Sequence, residues 1–227
     1  MLQSVYSVYD RVRRPLRNHH YLVLPGGKLA YARIPGRPEQ IARPVLAALD
    51  AGAEDSGWFD EIELLTAREL GRRYADITVF AFVQPPAERI AAAYELVIGS
   101  GKPLPTFYAR HGFQPGMSLA QFVLRVCQIS DLRADNLFRS QAHMLERRPA
   151  SKSLVLRTDQ LGKGWPRLSE LLAAAGGLRL PDCPEPAGDA EPKPVTRACE
   201  LEAGPLASRL ARRYAQDMQL YFADERV

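Results

Sequence analysis

The chain has 227 residues, of which 46% are hydrophobic and 25% charged, and its formal net charge is +4. This composition is ordinary for a globular protein and excludes a disordered or fibrous chain. No apolar run approaches the roughly 20 residues that cross a bilayer, which excludes a transmembrane protein. The mild positive charge permits anionic partners, but aromatic residues do not alternate with basic runs, so nucleic-acid binding is not expected.

The three cysteines, Cys127, Cys183 and Cys199, form neither a CxxC pair nor the spacing of a zinc site. An odd number of such thiols is typical of a reducing compartment. The first 20 residues also lack the apolar segment of a secretory signal. We therefore expect a cytoplasmic protein with reduced thiols and no metal.

Residues 1–18 predict a basic amphipathic helix, because apolar residues recur at helical spacing between Leu2 and Leu16. One interpretation is a surface helix that packs on the domain. The other is a helix that docks on a membrane surface or on a protein partner, which would make the protein membrane-associated. The basic residues that favour the second interpretation crowd the end of the helix: Arg11, Arg13, Arg14 and Arg17.

A hairpin opens the predicted sheet. Residues 21–24 and 29–34 are β-rich and flank a Pro-Gly-Gly turn. A helix is expected after Pro35. Pro44 should lie in its first turn, because a proline deeper inside would break the helix.

The strongest predicted strand is residues 77–83 (ITVFAFV), which are continuously apolar, as in a strand covered on both faces. Pro85 and Pro86 then open a helix at its first turn, where proline is tolerated, and Gly99 ends it. Residues 99–117 predict a loop whose length is typical of functional or mobile segments.

Later helices follow from capping patterns and apolar periodicity. Thr66 with Glu69 and Ser118 with Gln121 each form a capping box at a helix start. The remaining predictions are a helical stretch over 135–145, a strand over 153–157, a helix over 165–175, a proline-rich connector over 177–199 and a C-terminal helix over 200–222.

Strands and helices that alternate in this way predict an α/β fold, with a central, mostly parallel sheet flanked by helices. The length suits a single domain over residues 1–227. Ligands of such sheets bind at the carboxyl ends of the strands. The two strand-to-helix junctions of interest are therefore residues 32–42 (ARIPGRPEQIA) and 80–94 (FAFVQPPAERIAAAY).

Both junctions resemble segments of the sulfotransferases, particularly the carbohydrate-type branch. That family moves a sulfuryl group from 3′-phosphoadenosine 5′-phosphosulfate (PAPS) to a hydroxyl. The late segments Phe138-Arg139-Ser140-Gln141 and Asp159-Gln160-Leu161 are similar too, so the resemblance covers most of residues 19–222. The residues that match at the junctions are Arg33, Ile34, Pro35, Phe82, Val83, Pro86, Glu88, Arg89, Ala93 and Tyr94.

The resemblance implies a P-loop-like sulfotransferase fold, PAPS as the donor, and a glycan or small hydroxyl compound as the acceptor. Arg139 and Gln141 match positions on the acceptor side. His111, in the predicted loop, is the candidate general base, because histidine titrates near neutral pH. The positions implied to contact the donor are Pro35, Gly36, Arg37, Gln84 and Arg89.

The chain departs from the family where the donor phosphates would be held. Gly36 stands in place of the lysine that polarises the leaving group, and no hydroxyl residue follows it. Gln84 and Ala92 replace the arginine and serine that hold the 3′-phosphate. Losing these groups removes on the order of 5 kcal/mol of donor binding.

Three interpretations stay open. The first is a sulfotransferase-family protein whose donor site has degenerated, so that it binds a glycan, another ligand or a protein without transferring sulfate. The second is an active transferase with a rearranged PAPS site, in which Arg37 replaces the lysine. The third is a pseudoenzyme that docks on a partner through residues 1–18.

Overall fold

The computed structural model of the chain describes residues 17–24, 26–51, 63–145, 153–176, 180, 182–184 and 192–223. Most of the helix predicted over residues 1–18 lies outside them. The elements, in chain order, are β1 His19–Val23, β2 Leu29–Ala32, α1 Arg37–Ala51, β3 Glu63–Thr66, α2 Ala67–Arg73, β4 Thr78–Val83, α3 Pro86–Tyr94, α4 Thr106–Arg110, α5 Leu119–Gln128, α6 Gln141–Met144, β5 Ser153–Arg157, α7 Leu161–Gly176, α8 Pro192–Ala203, α9 Ala207–Arg213 and α10 Ala215–Tyr221.

The chain divides into two compact units. The sheet unit comprises Met1–Gln84 and Gln141–Pro186, and the helical unit comprises Pro85–Ser140 and Ala187–Val227. The single domain predicted over residues 1–227 stays a prediction.

All five described strands lie in the sheet unit, and their order is β3-β1-β2-β4-β5. The chain is thus an α/β protein, as predicted. The sheet is mixed, which corrects the prediction of a mostly parallel one. β4 is parallel to β2 and to β5, whereas β1 is antiparallel to β2 and to β3. The reason is the tight turn of the predicted hairpin, which reverses the chain between β1 and β2.

β4 is buried on both faces, which explains its continuous apolar sequence. Phe80 and Phe82 pack on one face with Tyr31 and Trp165, and their ring centroids lie 5.3–6.3 Å apart. The residues Val79 and Ala81, which alternate with them, belong to the cluster on the other face. Together the two clusters fix β4 within the sheet unit.

Pro44 lies inside α1, not in its first turn as predicted, because the helix already begins at Arg37. Its ring removes one backbone hydrogen bond. Ile41, Ala42 and Val45, which surround it in sequence, are nevertheless buried in the core of the sheet unit. Burial of this apolar face outweighs the lost hydrogen bond.

Several predicted boundaries in the middle of the chain are wrong. The predicted loop 99–117 contains α4, and only α6 is α-helical within the stretch 135–145. Side-chain carboxylates explain the second error, because they compete with the helical pattern for backbone N–H groups. Asp135 accepts from the N–H of Leu137 at 2.9 Å, and Asp131 accepts from that of Ser140 at 2.9 Å.

The C-terminal segment also differs from the prediction. α8 begins at Pro192, within the proline-rich connector predicted over 177–199. The single helix predicted over 200–222 is instead divided among α8, α9 and α10. Gly204 and Pro205 account for the first break, because glycine weakens a helix and proline lacks a backbone donor.

Both predicted capping boxes are confirmed. The hydroxyl of Thr66 accepts from the backbone of Glu69 at the start of α2, and that of Ser118 accepts from Gln121 at the start of α5. The strand predicted over 153–157 is confirmed as β5. None of the described helices combines the length and the apolar composition that crossing a membrane requires.

We expect Phe82→Ala to lower the free energy of unfolding by about 3–5 kcal/mol, because it leaves a cavity beside Trp165 in the core of the sheet unit. Leu220→Ala is the control, since Leu220 is 56% exposed, and it should change stability by less than about 0.5 kcal/mol. Urea denaturation measures both values. Equal effects of the two substitutions would contradict the packing described for β4.

Candidate functional site

The carboxyl ends of β2, β4 and β5 lie at one edge of the sheet, because these three strands run parallel. The residues that follow them are Arg33, Gln84 and Thr158. The N–H of Thr158 donates to the carbonyl oxygen of Val83 at 2.8 Å, which continues the pairing one step beyond β5. This edge is where a ligand of the sheet unit is expected.

The N-terminus of α1 lies at this edge. Its first N–H groups already have hydrogen-bond acceptors within the protein. The carbonyl of Gly36 accepts from the N–H groups of Glu39 at 3.1 Å and of Gln40 at 3.2 Å. Pro38 has no N–H to offer an anion. The positive φ of Gly36, +105°, is a conformation that favours glycine. Of the donors that usually bind an anion at a helix start, few therefore remain.

A carboxylate already occupies the electropositive start of α1. Glu39 lies in the first turn and accepts from the guanidinium of Arg33 at 3.1 Å. A negative side chain at this position complements the helix dipole. It also repels any further anion. Burial, reinforced by the charge of Glu39, raises the pKa of the neighbouring Tyr31 phenol above its ordinary value.

A second carboxylate, that of Asp159, lies just after β5. Asp159 accepts two hydrogen bonds from the guanidinium of Arg157, at 3.1 and 2.7 Å. Partial burial raises the pKa of Asp159, but these hydrogen bonds and the charge of Arg157 outweigh it and hold the pKa below its ordinary value. The charge of Arg37 acts on Asp159 in the same direction. The arginines of this edge thus already have carboxylates near them.

Gln141 binds the backbone at the end of β4. Its side-chain oxygen accepts from the N–H of Gln84 at 2.9 Å, and its side-chain nitrogen donates to the carbonyl of Gln84 at 2.8 Å. Gln141 is fully buried. Its amide therefore forms the two hydrogen bonds that a neighbouring strand would form with Gln84. These contacts explain the burial of Gln141 without a bound acceptor molecule.

The sequence patterns gave no site role to Thr158, although its place after a parallel strand is a signal. It is 4% exposed, and its hydroxyl has no hydrogen-bond partner among the described residues. An unpaired buried hydroxyl costs free energy unless something binds it. The hydroxyl of Thr158 could therefore form a hydrogen bond with a ligand at this edge.

Arg89 and Arg139 lie in the helical unit and contact each other through the main chain. The two terminal nitrogens of Arg89 donate to the carbonyls of Arg139 and Asn136, each at 2.5 Å. Burial lowers the pKa of Arg89, and Tyr214, Asp217 and Asp131 oppose this effect. The guanidinium is therefore committed to holding the segment around residue 138, and its predicted donor contact stays a prediction.

His111 follows α4 in the helical unit. Its Nδ1 lies 2.8 Å from the carbonyl oxygen of Phe107, and its ring packs on that residue at a centroid distance of 4.2 Å. Since a carbonyl can only accept, Nδ1 carries the proton and Nε2 of the neutral ring is the basic atom. This geometry suits a proton acceptor, but no described acid orients it as in a catalytic triad.

The predicted site residues fall in both units. Arg139 and Gln141, which the resemblance groups together on the acceptor side, belong to different units. The sheet unit holds Pro35, Gly36, Arg37, Gln84 and Gln141, whereas the helical unit holds Arg89, His111 and Arg139.

No protein-family model, curated protein or solved structure matches the chain. The family resemblance therefore rests on the motif residues alone. Within the described part of the chain, no group of three or more His, Cys, Asp or Glu side chains could hold a metal ion.

We expect Gln141→Leu to lower the free energy of unfolding by about 2–4 kcal/mol, because it removes two buried hydrogen bonds from the main chain of Gln84. Gln216→Leu, at an exposed position of α10, is the matched control and should have little effect. Thermal and urea unfolding measure the difference. A tolerated Gln141→Leu would mean that the amide does not hold the end of β4.

We expect the stability contributed by Asp159 to disappear in acid. Its pKa is lowered in the folded chain, so its contribution is complete above the pKa of the unfolded chain, about 3.9, and is lost as the pH falls through the folded value. Asp159→Asn should therefore destabilise the protein at pH 7 and progressively less below about pH 4. Urea unfolding across pH 3–7 tests this, with the exposed Asp182→Asn as control. A difference that stayed constant down to pH 3 would refute it.

Proposed function

We propose that the chain is a sulfotransferase-like domain, with a P-loop-like sheet, that no longer transfers sulfate and acts as a binding protein. Its ligand would be a glycan-like hydroxyl compound or a protein partner. The single observation that carries the proposal is the ion pair of Arg33 and Glu39 at the start of α1. It occupies the position where the family resemblance places the phosphosulfate of PAPS.

The electrostatics of this position oppose a sulfate donor. A donor anion would be repelled by the carboxylate of Glu39 and would have to compete with it for the guanidinium of Arg33. Pro38 cannot donate, and the N–H groups of Glu39 and Gln40 point to Gly36. The anchoring groups that are missing are worth on the order of 5 kcal/mol, or a thousandfold or more in affinity.

The second anchoring position supports the same conclusion. Gln84 stands where the family has an arginine for the 3′-phosphate, and it is 3% exposed. Pro85 and Pro86 follow it and provide no backbone donors. At both ends of the expected donor, the protein thus lacks the groups that would hold the phosphates.

A second candidate function, sulfuryl transfer from a rearranged donor site, is favoured by one observation. The buried hydroxyl of Thr158 lacks a described partner at the edge that also carries Arg37. In such a reaction the acceptor oxygen would bond to sulfur while the bond to the phosphate oxygen breaks. The hydroxyl proton would pass to a base or to solvent, and adenosine 3′,5′-bisphosphate would leave.

A gain of donor binding tests the proposal. Gly36→Lys is unsuitable, because a side chain is strained at φ +105°. The double variant Pro38→Ser, Glu39→Gln instead restores a backbone donor and a hydroxyl and removes the carboxylate. Adenosine 3′,5′-bisphosphate is added at ten times the Kd of this variant. The melting temperature of the variant should then rise by about 3–5 °C.

The unaltered chain and Glu170→Gln, which removes an exposed carboxylate from α7, should show no such rise. If the unaltered chain is stabilised as much as the double variant, then Pro38 and Glu39 do not prevent donor binding and the proposal is wrong. Release of adenosine 3′,5′-bisphosphate from PAPS in the presence of a hydroxyl acceptor would establish the second candidate function.

A further inference from the structure

A cavity of about 430 Å³ lies wholly within the helical unit, so its interpretation does not depend on the edge of the sheet. It is bounded by the turn at residues 112–117 and by one face of α5. Its volume falls within the range of small-molecule sites, roughly 300–1,000 Å³.

Arg125 is the charged side chain among the residues that line the cavity, and no carboxylate lines it. The guanidinium of Arg125 donates to the side-chain oxygen of Gln128 at 3.1 Å. It forms no ion pair with a carboxylate in the described ranges. The cavity therefore carries a positive charge that no described acid neutralises.

The backbone fixes this guanidinium on one side. A Cβ atom added to Gly112 would lie 3.0 Å from Cζ of Arg125, so the guanidinium packs against the bare Cα. Gly112 also has φ +76°, a conformation that favours glycine. The hydrogen bond to Gln128, which is exposed to solvent, and the contact with Gly112 both restrict where the guanidinium of Arg125 lies.

The amides beside Arg125 offer donors more than acceptors. The side-chain oxygen of Gln121 accepts from the N–H of Ser118 at 2.8 Å, and that of Gln128 accepts from Arg125. The NH₂ group of each amide therefore remains available to donate a hydrogen bond. A guanidinium and two amide donors in one cavity suit an oxygen anion.

The same cavity has apolar walls. Pro115, Met117 and Leu124 line it together with the polar groups. Such a combination is typical of sites that orient a small organic molecule by a few polar contacts and enclose its carbon body.

We propose that this cavity, the Arg125 cavity, binds the oxyanion group of a small organic acid, whose carbon body lies on the apolar wall. The oxyanion is a carboxylate, sulfate or phosphate group, since all three accept hydrogen bonds from a guanidinium and amide donors.

Nuclear magnetic resonance titration of the full chain with benzoate, phenyl sulfate and phenyl phosphate tests this. We expect saturable shifts of the Gly112 and Gly116 amide signals with at least one anion, and the tightest of the three identifies the oxyanion. Arg125→Gln should weaken that binding by about 10- to 100-fold. Arg133→Gln removes an exposed arginine outside the cavity and should leave it unchanged.

Neutral benzamide supplies the carbon body without the charge and should bind at least about tenfold more weakly. Gln128→Glu, which places a carboxylate beside Arg125, is a second variant in case Arg125→Gln disturbs the fold, and it too should weaken anion binding. The proposal is overturned if no anion gives a saturable shift, if benzamide binds as tightly, or if folded Arg125→Gln and Gln128→Glu proteins keep the affinity of the unaltered chain.

Discussion

The parallel hydrogen bonding of β4 to β2 and β5 is the constraint on which the candidate site depends. It brings three distant segments of the chain to one edge, so that Arg33, Gln84 and Thr158 follow neighbouring strands. The burial of Phe80 and Phe82 against one helical layer fixes β4 in this position. Without that pairing Arg33, Gln84 and Thr158 would have no common location.

Much of this edge is occupied by the protein's own groups. Glu39 and Arg33 satisfy each other at the start of α1, and Arg157 holds Asp159 after β5. The side-chain amide of Gln141 forms hydrogen bonds with both the N–H and the carbonyl of Gln84. These contacts pair the arginines of the edge with carboxylates and give a backbone donor its acceptor.

Local rules predicted the parts of the fold that short-range physics decides. The capping boxes at Thr66 and Ser118, the hairpin and the strands β4 and β5 follow from hydrogen-bonding patterns and apolar runs that lie within a few residues. The errors arose where tertiary packing outweighed propensity, as for Pro44 inside α1. The antiparallel edge strand β3 was missed because it is only four residues long.

The candidate site shows the same division. That Gly36 and Gln84 stand where the resembling family has phosphate-binding residues is read from the sequence, and it stays a prediction about the site. The pairing of Gln141 with Gln84 could not be predicted from the sequence, because it joins residues 57 positions apart through side-chain geometry. Neither could the contact of Arg125 with Gly112, which depends on how α5 packs on the preceding turn.

We propose that the edge beyond β2 and β4 does not bind a sulfate donor. Calorimetric titration of the unaltered chain with adenosine 3′,5′-bisphosphate at low salt tests it most directly, because the desulfated product carries both phosphates of the donor. We expect the unaltered chain not to bind adenosine 3′,5′-bisphosphate at millimolar concentration. Binding in the micromolar range would contradict it and would mean that groups such as Arg37 and Thr158 hold the phosphates.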